Sequence, residues 1–255
     1  EQGLSQLQNS VAFKTGKLTL APIKAAAKLI KKLRDSRAAV QAVQANEEGQ
    51  VINNPEKGQV INPDPRITLL SHEIKFSILV PVYNTDKNVL EAMLQSVMAQ
   101  NYPNWELCLV DDASPNETPR QVLQSYHEQD PDRILIHFAK TNGGIAVSTR
   151  KAAEMASGEF ICLLDHDDLL HSDALLEMAL QLEVTPNADY IYSDENKVSN
   201  DGHDFSQPYY KPEFDPDLLL CNNYLNHFSV IRKTLFDDIG GYREGFDGSQ
   251  DYDLY

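Results

Sequence analysis

Three carboxylates stand in four residues at Asp165-His166-Asp167-Asp168, directly after the apolar run Phe160-Ile161-Cys162-Leu163-Leu164. Carboxylates this crowded repel one another unless a cation lies between them, and hard oxygen ligands select Mg2+ or Mn2+. The spacing Asp165-x-Asp167 lets one carboxylate reach a metal and the other a neighbouring group. The plainer alternative is a solvated turn whose aspartates cap a helix. A run that is apolar on both faces predicts an interior strand of a parallel sheet. The acids then sit at its carboxyl end, where open α/β sheets bind ligands.

Three further segments place polar groups after apolar runs. Pro81-Val82-Tyr83-Asn84 ends Phe76–Val82, Asp111-Asp112 follow Leu107–Val110, and Asn142-Gly143-Gly144 follow Ile134–Phe138. A carboxylate at Asp111 or Asp112 can accept hydrogen bonds from a base or from ribose hydroxyls; Asp112 can equally cap the next helix. The glycine pair permits a tight turn into a helix whose N-terminus can face phosphate. Arg150 on that helix can reach a diphosphate or pack at the surface. Asn222, Asn223 and His227 can touch a bound ligand or satisfy buried backbone groups, and His227 is assigned the latter role.

The elements that must position these groups alternate in type. Strands are expected at Phe76–Val82, Trp105–Val110, Ile134–Phe138, Phe160–Leu164 and Tyr190–Ser193. Between them, helical periodicity runs from Val89 to Met98, from Ile145 to Met155 and from Leu175 to Leu182. Thr118-Pro119-Arg120-Gln121 has the form of a helix start with Thr118 as the cap. Such alternation specifies a mainly parallel sheet with right-handed crossovers, all of whose strand ends share one edge.

Charge is unevenly spread. Of a net −16, residues 1–44 carry about +6 and the remainder about −22. An acidic body argues against nucleic acid as a partner. It also meets an anionic phosphate ester poorly unless a divalent cation is bound. Residues 18–44 predict a basic amphipathic helix, suited to an anionic membrane surface or to packing on a partner. The expected division is an extension over residues 1–45, a linker over 46–74 with Pro55, Pro63 and Pro65, and a main domain over 75–255. Cys108, Cys162 and Cys221 are odd in number and widely spaced, which points to a reducing compartment.

Ile78-Leu79-Val80-Pro81-Val82-Tyr83-Asn84, Leu109-Val110-Asp111-Asp112-Ala113-Ser114, Asn142-Gly143-Gly144 and Gly158-Glu159-Phe160 leading into Asp165-His166-Asp167-Asp168 form an ordered set. Over about residues 75–255 that set resembles family 2 glycosyltransferases of the GT-A fold. The resemblance implies an α/β fold with a mainly parallel sheet flanked by helices. It also implies inverting, metal-dependent transfer of a sugar from a nucleotide-diphosphate donor, UDP foremost, to a glycan or lipid-linked acceptor. The donor nucleotide would be held by Pro81, Val82, Tyr83, Asn84, Asp111, Asp112, Gly144, Arg150, Asp165 and His166. Asp165 and Asp167 would bind Mn2+ or Mg2+. The catalytic base would be Asp251 in Gly248-Ser249-Gln250-Asp251, where Gln250 stands in place of the family's Glu. A carboxylate near the metal also suits deprotonation of an acceptor hydroxyl on chemical grounds; a helix N-terminal charge is the alternative.

Tyr192-Ser193-Asp194-Glu195 and Pro208-Tyr209-Tyr210-Lys211-Pro212 resemble bacterial members that build surface polysaccharides, which implies cytoplasmic work at the inner face of the plasma membrane. Ending at Tyr255, just past the expected base, the chain reads as a piece of a longer polypeptide. A sugar nucleotidyltransferase would want a Gly-rich basic loop where Tyr83-Asn84-Thr85-Asp86 stands. A binding module without turnover is the remaining alternative.

Overall fold

The computed structural model describes residues 13–15, 64–199 and 205–255. The expected basic helix at 18–44 and most of the expected linker lie outside the described residues.

The described residues form nine strands: β1 (Phe13–Thr15), β2 (Phe76–Val82), β3 (Trp105–Asp111), β4 (Ile134–Phe138), β5 (Phe160–Leu163), β6 (Tyr190–Ser193), β7 (Glu195–Val198), β8 (Phe205–Tyr209) and β9 (Ser229–Arg232). The helices are α1 (Lys87–Met98), α2 (Glu117–Gln129), α3 (Ile145–Met155), α4 (Ala174–Val184), α5 (Pro216–Leu219), α6 (Lys233–Asp238) and α7 (Gln250–Leu254). Seven strands form one sheet in the order β1-β6-β9-β5-β2-β3-β4, while β7 and β8 pair as a separate ribbon. β4, β3, β2 and β5 run parallel, as the alternating pattern requires. β9 is inserted antiparallel between β5 and β6.

Side-chain alternation along β2 divides the core in two. Phe76, Ile78, Val80 and Val82 join one apolar cluster with Leu90, Met93 and Leu94 of α1 and Leu175, Met178 and Leu182 of α4. Leu79 points to the other face, toward Ala146, Ala152 and Ala153 of α3 and Phe236 of α6. Fully burying one large apolar side chain contributes about 1.5–3 kcal/mol, so a central strand covered on both faces is the rigid reference of the molecule.

One expected helix start shifts. The cap of α2 is Asn116, whose Oδ1 accepts from the Thr118 amide at 3.0 Å and from the Thr118 hydroxyl at 2.9 Å. With its hydroxyl engaged there, Thr118 lies inside the first turn, a place where Pro119 is also tolerated. Ahead of β2, a 3-10 turn over Pro65–Leu69 occupies part of the expected linker. It is tied to α4 by Arg66, which pairs with Asp64, Asp173 and Glu177.

Candidate active site

The carboxyl ends of the parallel strands share one edge, and the site is assembled there. β2 and β3 are in register so that Val82 faces Asp111. Asp111 is buried, and its Oδ1 has no hydrogen-bond partner among the described residues. A buried acceptor left open is costly by about 1–3 kcal/mol, which makes Asp111 a group poised for a donor N–H or O–H. Pro81 and Val82 are buried in β2, whereas Tyr83 is exposed. Asn84 follows at φ 51°, with its amide donated to Ser114 Oγ at 2.8 Å.

Asp112 works on the protein itself. Its two carboxylate oxygens accept the amides of Gly143 and Gly144, each at 2.8 Å. It therefore holds the turn into α3 rather than capping α2. Gly144 has φ 83°, and a Cβ there would come within 2.9 Å of the Asp247 carboxylate. That carboxylate accepts the Ala146 amide at 3.3 Å, at the N-terminus of α3 where an external phosphate was expected. Arg150 forms an ion pair with Glu244. The structure thus gives Asp112, Gly144 and Arg150 partners from within the chain.

The second half of the edge carries the acids. Because β9 runs antiparallel beside β5, with Leu163 opposite Ser229, the residues just before β9 meet those just after β5. His227 is brought against Asp165 and Asp168 in this way. Its Nε2 lies 3.2 Å from Asp165 Oδ2 and 3.9 Å from Asp168 Oδ2. One donor atom from each of the three lies within 4.8 Å of the others. Burial alone would lower the His227 pKa, but the hydrogen bond and charge of Asp165, with Asp168 and Asp251 beyond, raise it to about 9. Burial would raise Asp165, yet the bond to His227 holds it below its usual value. Asp168 is pushed up by burial and by the neighbouring Asp165, Asp167 and Glu195 charges, which outweigh His227.

His227 was assigned to buried backbone groups, and the structure corrects that. Its Nε2 faces carboxylates, and its Nδ1 has no partner among the described residues. No local signal marks it, because its neighbours arrive through an antiparallel strand insertion. Asp167 is not drawn into the cluster. Its side chain is 61% exposed, and its Oδ1 lies 3.9 Å from His166 Nδ1.

Asp251 projects from the first turn of α7. Tyr242 donates its hydroxyl to Asp251 Oδ1, and Gln250 Nε2 lies 3.3 Å from Oδ2. Gln250 Oε1 in turn accepts the Gly248 amide at 2.6 Å. Burial leads the rise in the Asp251 pKa, and Asp165 adds to it, while Tyr242 and His227 pull the other way. The residue that follows α7, Tyr255, places its hydroxyl 2.9 Å from Ser229 Oγ and donates it to Asn226 O at 3.3 Å, so the helix bearing Asp251 is anchored beside the loop that carries His227.

Two hard carboxylate oxygens and one imidazole nitrogen, converging on a point, suit a divalent cation of the Mn2+ type. The Asp111 acceptor stands beyond them along the same strand edge.

Residues 77–240 match the profile of glycosyl transferase family 2. Among curated relatives, an uncharacterized protein of Sinorhizobium fredii, y4gI, is 43% identical over 178 residues, covering 70% of this chain and 19% of its own length. The O-antigen biosynthesis protein RfbC of Myxococcus xanthus is 36% identical over 188 residues, or 74% of this chain and 15% of its own. The chain therefore spans less than a fifth of either relative. The crystal structure of S. aureus TarS residues 1–349 in complex with UDP-GlcNAc superposes with a TM-score of 0.57 at 26% identity, covering 71% of this chain and 52% of that one. With its ordered strand-end motifs, its mainly parallel sheet and this match over most of its described length, the chain belongs to glycosyl transferase family 2.

Proposed function

We propose that this chain is the nucleotide-sugar-binding and catalytic part of an inverting glycosyltransferase that builds a bacterial surface polysaccharide. The observation that carries this reading is the convergence of Asp165, Asp168 and His227 on one strand edge that also bears the open acceptor of Asp111, with the helix of Asp251 anchored through Tyr255 beside the His227 loop. The first three would hold Mn2+, with Mg2+ suited less well because it prefers an all-oxygen shell. Bound there, the cation supplies positive charge beside the donor's diphosphate in an otherwise acidic body. Asp111 would accept from the base or ribose, with Pro81, Val82, Tyr83 and Asn84 lining the same pocket.

Asp251 takes the proton of the acceptor hydroxyl. As that oxygen bonds to the anomeric carbon, the bond from this carbon to the phosphate oxygen breaks and the nucleoside diphosphate leaves with its electron pair. One displacement inverts the anomeric centre. UDP-GlcNAc in the S. aureus relative supports a UDP-sugar donor. RfbC supports a glycan or lipid-linked acceptor of surface-polysaccharide type. Among the described residues no helix is long and apolar enough to cross a membrane. Residues 18–44 would provide peripheral contact with the bilayer where a lipid-linked acceptor resides.

Calorimetry with Mn2+ and UDP-GlcNAc tests the site. Asp165→Ala and Asp168→Ala are each expected to weaken metal-dependent donor binding at least tenfold. Asp167→Ala, measured beside them, separates the geometric cluster from the D-x-D spacing: loss there and not at Asp168 moves the ligand role to Asp167. Undiminished binding in all three variants defeats the assignment. Tight donor binding without turnover on any glycan acceptor would favour the binding-module alternative.

A further inference from the structure

Lys211 has no part in the chemistry above, yet it is among the most enclosed of the described residues. It is 1% exposed. A buried ammonium must be surrounded by acceptors to be tolerated. Its Nζ donates to Leu225 O at 2.8 Å and to His227 O, and pairs with Glu195 Oε2 at 3.0 Å. Its own amide is held by Asp194 Oδ1 at 2.7 Å. Between the two carbonyls that it grips, Asn226 stands at φ 26° and gives its carbonyl to Ser229 and Tyr255. Three consecutive carbonyls of the loop carrying His227 are therefore fixed from outside the loop. A backbone in that region does not keep its shape by local preference.

We propose that Lys211, seated by Asp194 and Glu195, is a positioning residue that clamps the Leu225–His227 backbone so that the His227 imidazole meets Asp165 and Asp168. The clamp links the β7–β8 ribbon, which carries Glu195 and leads into Lys211, to the metal edge of the main sheet. It explains why a lysine is spent on backbone carbonyls in the interior, where an apolar residue would pack more cheaply. The inference rests on the site reading above, and its test keeps the two apart.

The experiment is Mn2+ binding to the full 255-residue chain, followed by calorimetry and by pulsed electron paramagnetic resonance of the bound ion. His227→Ala is the reference for the site; Lys211→Met keeps the stem and removes the donors. Groups that orient metal ligands typically govern about 10–100-fold in affinity. Lys211→Met is expected to weaken Mn2+ binding by that factor and to erase the imidazole-nitrogen coupling in the resonance spectrum, with the melting transition still cooperative. Loss of affinity in His227→Ala together with wild-type affinity and nitrogen coupling in Lys211→Met overturns the clamp and leaves the site standing. Unchanged affinity in His227→Ala removes the site reading, and the clamp with it. If Lys211→Met does not fold, Glu195→Ala decides, since Glu195 is a third exposed and outside the core: loss of the imidazole-nitrogen coupling supports the clamp, and coupling retained at wild-type strength overturns it, whatever the lost charge does to the affinity.

Discussion

At the scale of single residues, the acids after β5 and the carboxylate on α7 were legible because each follows an apolar run or a glycine turn in a recognisable order. What could not be read was which of them meet. Asp165 was placed correctly at a strand end, but its partners Asp168 and His227 are set by rotamers and by β9, not by spacing. Asp111 and Asp112 look alike in sequence. The structure divides them, one left with an open oxygen and the other spent on the Gly143 and Gly144 amides. The base is the sharpest residue-level test. Proton abstraction by a positioned carboxylate is typically worth about 10²–10⁴-fold. With a competent acceptor, Asp251→Asn is expected to keep donor affinity and lose transfer by that order, measured as kcat. Tyr242→Phe removes a hydrogen bond that lowers the Asp251 pKa. The acid limb of the pH–rate profile should therefore move to higher pH in that variant; a limb that stays in place would mean that Asp251 is not the titrating base.

At the scale of elements, the parallel strands and the long helices agreed with the pattern to within a residue or two, because buried strands and amphipathic helices write their periods locally. The β7–β8 ribbon and the short β9 carry no such period. The opposite edge of the sheet shows what the chain invests in fixing strand register. Glu106, buried on β3, accepts from Ser77 Oγ at 2.6 Å and pairs with Lys75 at 2.6 Å; the Gly158 amide reaches Ser77 Oγ at 2.8 Å. A Cβ on Gly158 would stand 2.6 Å from Lys75 O and from Ser77 Oγ. Gly158→Ala is therefore expected to lower stability by about 1–3 kcal/mol through overpacking, read in a denaturant melt. Burial works against the Glu106 charge, but Lys75, Ser77 and Ser157 together hold its pKa below the ordinary 4.5. A depressed carboxylate contributes stability that is complete above 4.5 and is lost as pH falls through the folded value. Glu106→Gln is expected to cost about 1.5–3 kcal/mol at neutral pH. The gap to wild type should shrink as the pH is lowered past 4.5; a gap constant with pH would show that the Glu106 charge is not what the cluster stabilises.

At the scale of the whole molecule, the candidate site draws on parts of the chain that lie far apart in sequence. The end of β5 brings Asp165 and Asp168, the approach to β9 brings His227, and α7 brings Asp251. A sequence read strand by strand supplies the first of these and not the convergence, because an antiparallel insertion into a parallel sheet leaves no periodic trace. The body that surrounds the site is strongly acidic. Without a cation, like charges at this edge oppose folding, and the His227 imidazolium is the only positive group within the three-residue cluster. An ion bound there should therefore tie the C-terminal segment to the central sheet and stabilise the fold globally. For a ligand that binds only the folded state, a concentration 100 times the Kd adds about 2.7 kcal/mol. At about 2–4 °C per kcal/mol for a domain of this size, the melting temperature should rise by about 5–10 °C in Mn2+. The rise should be largely lost in His227→Ala and should not be reproduced by ionic strength alone, which screens surface charge without bridging the three ligands. A wild-type melt indifferent to Mn2+, or an equal rise in His227→Ala, would mean that the carboxylates are held by His227 as a purely structural ion pair, and the donor's diphosphate would then have to be met by another positive group.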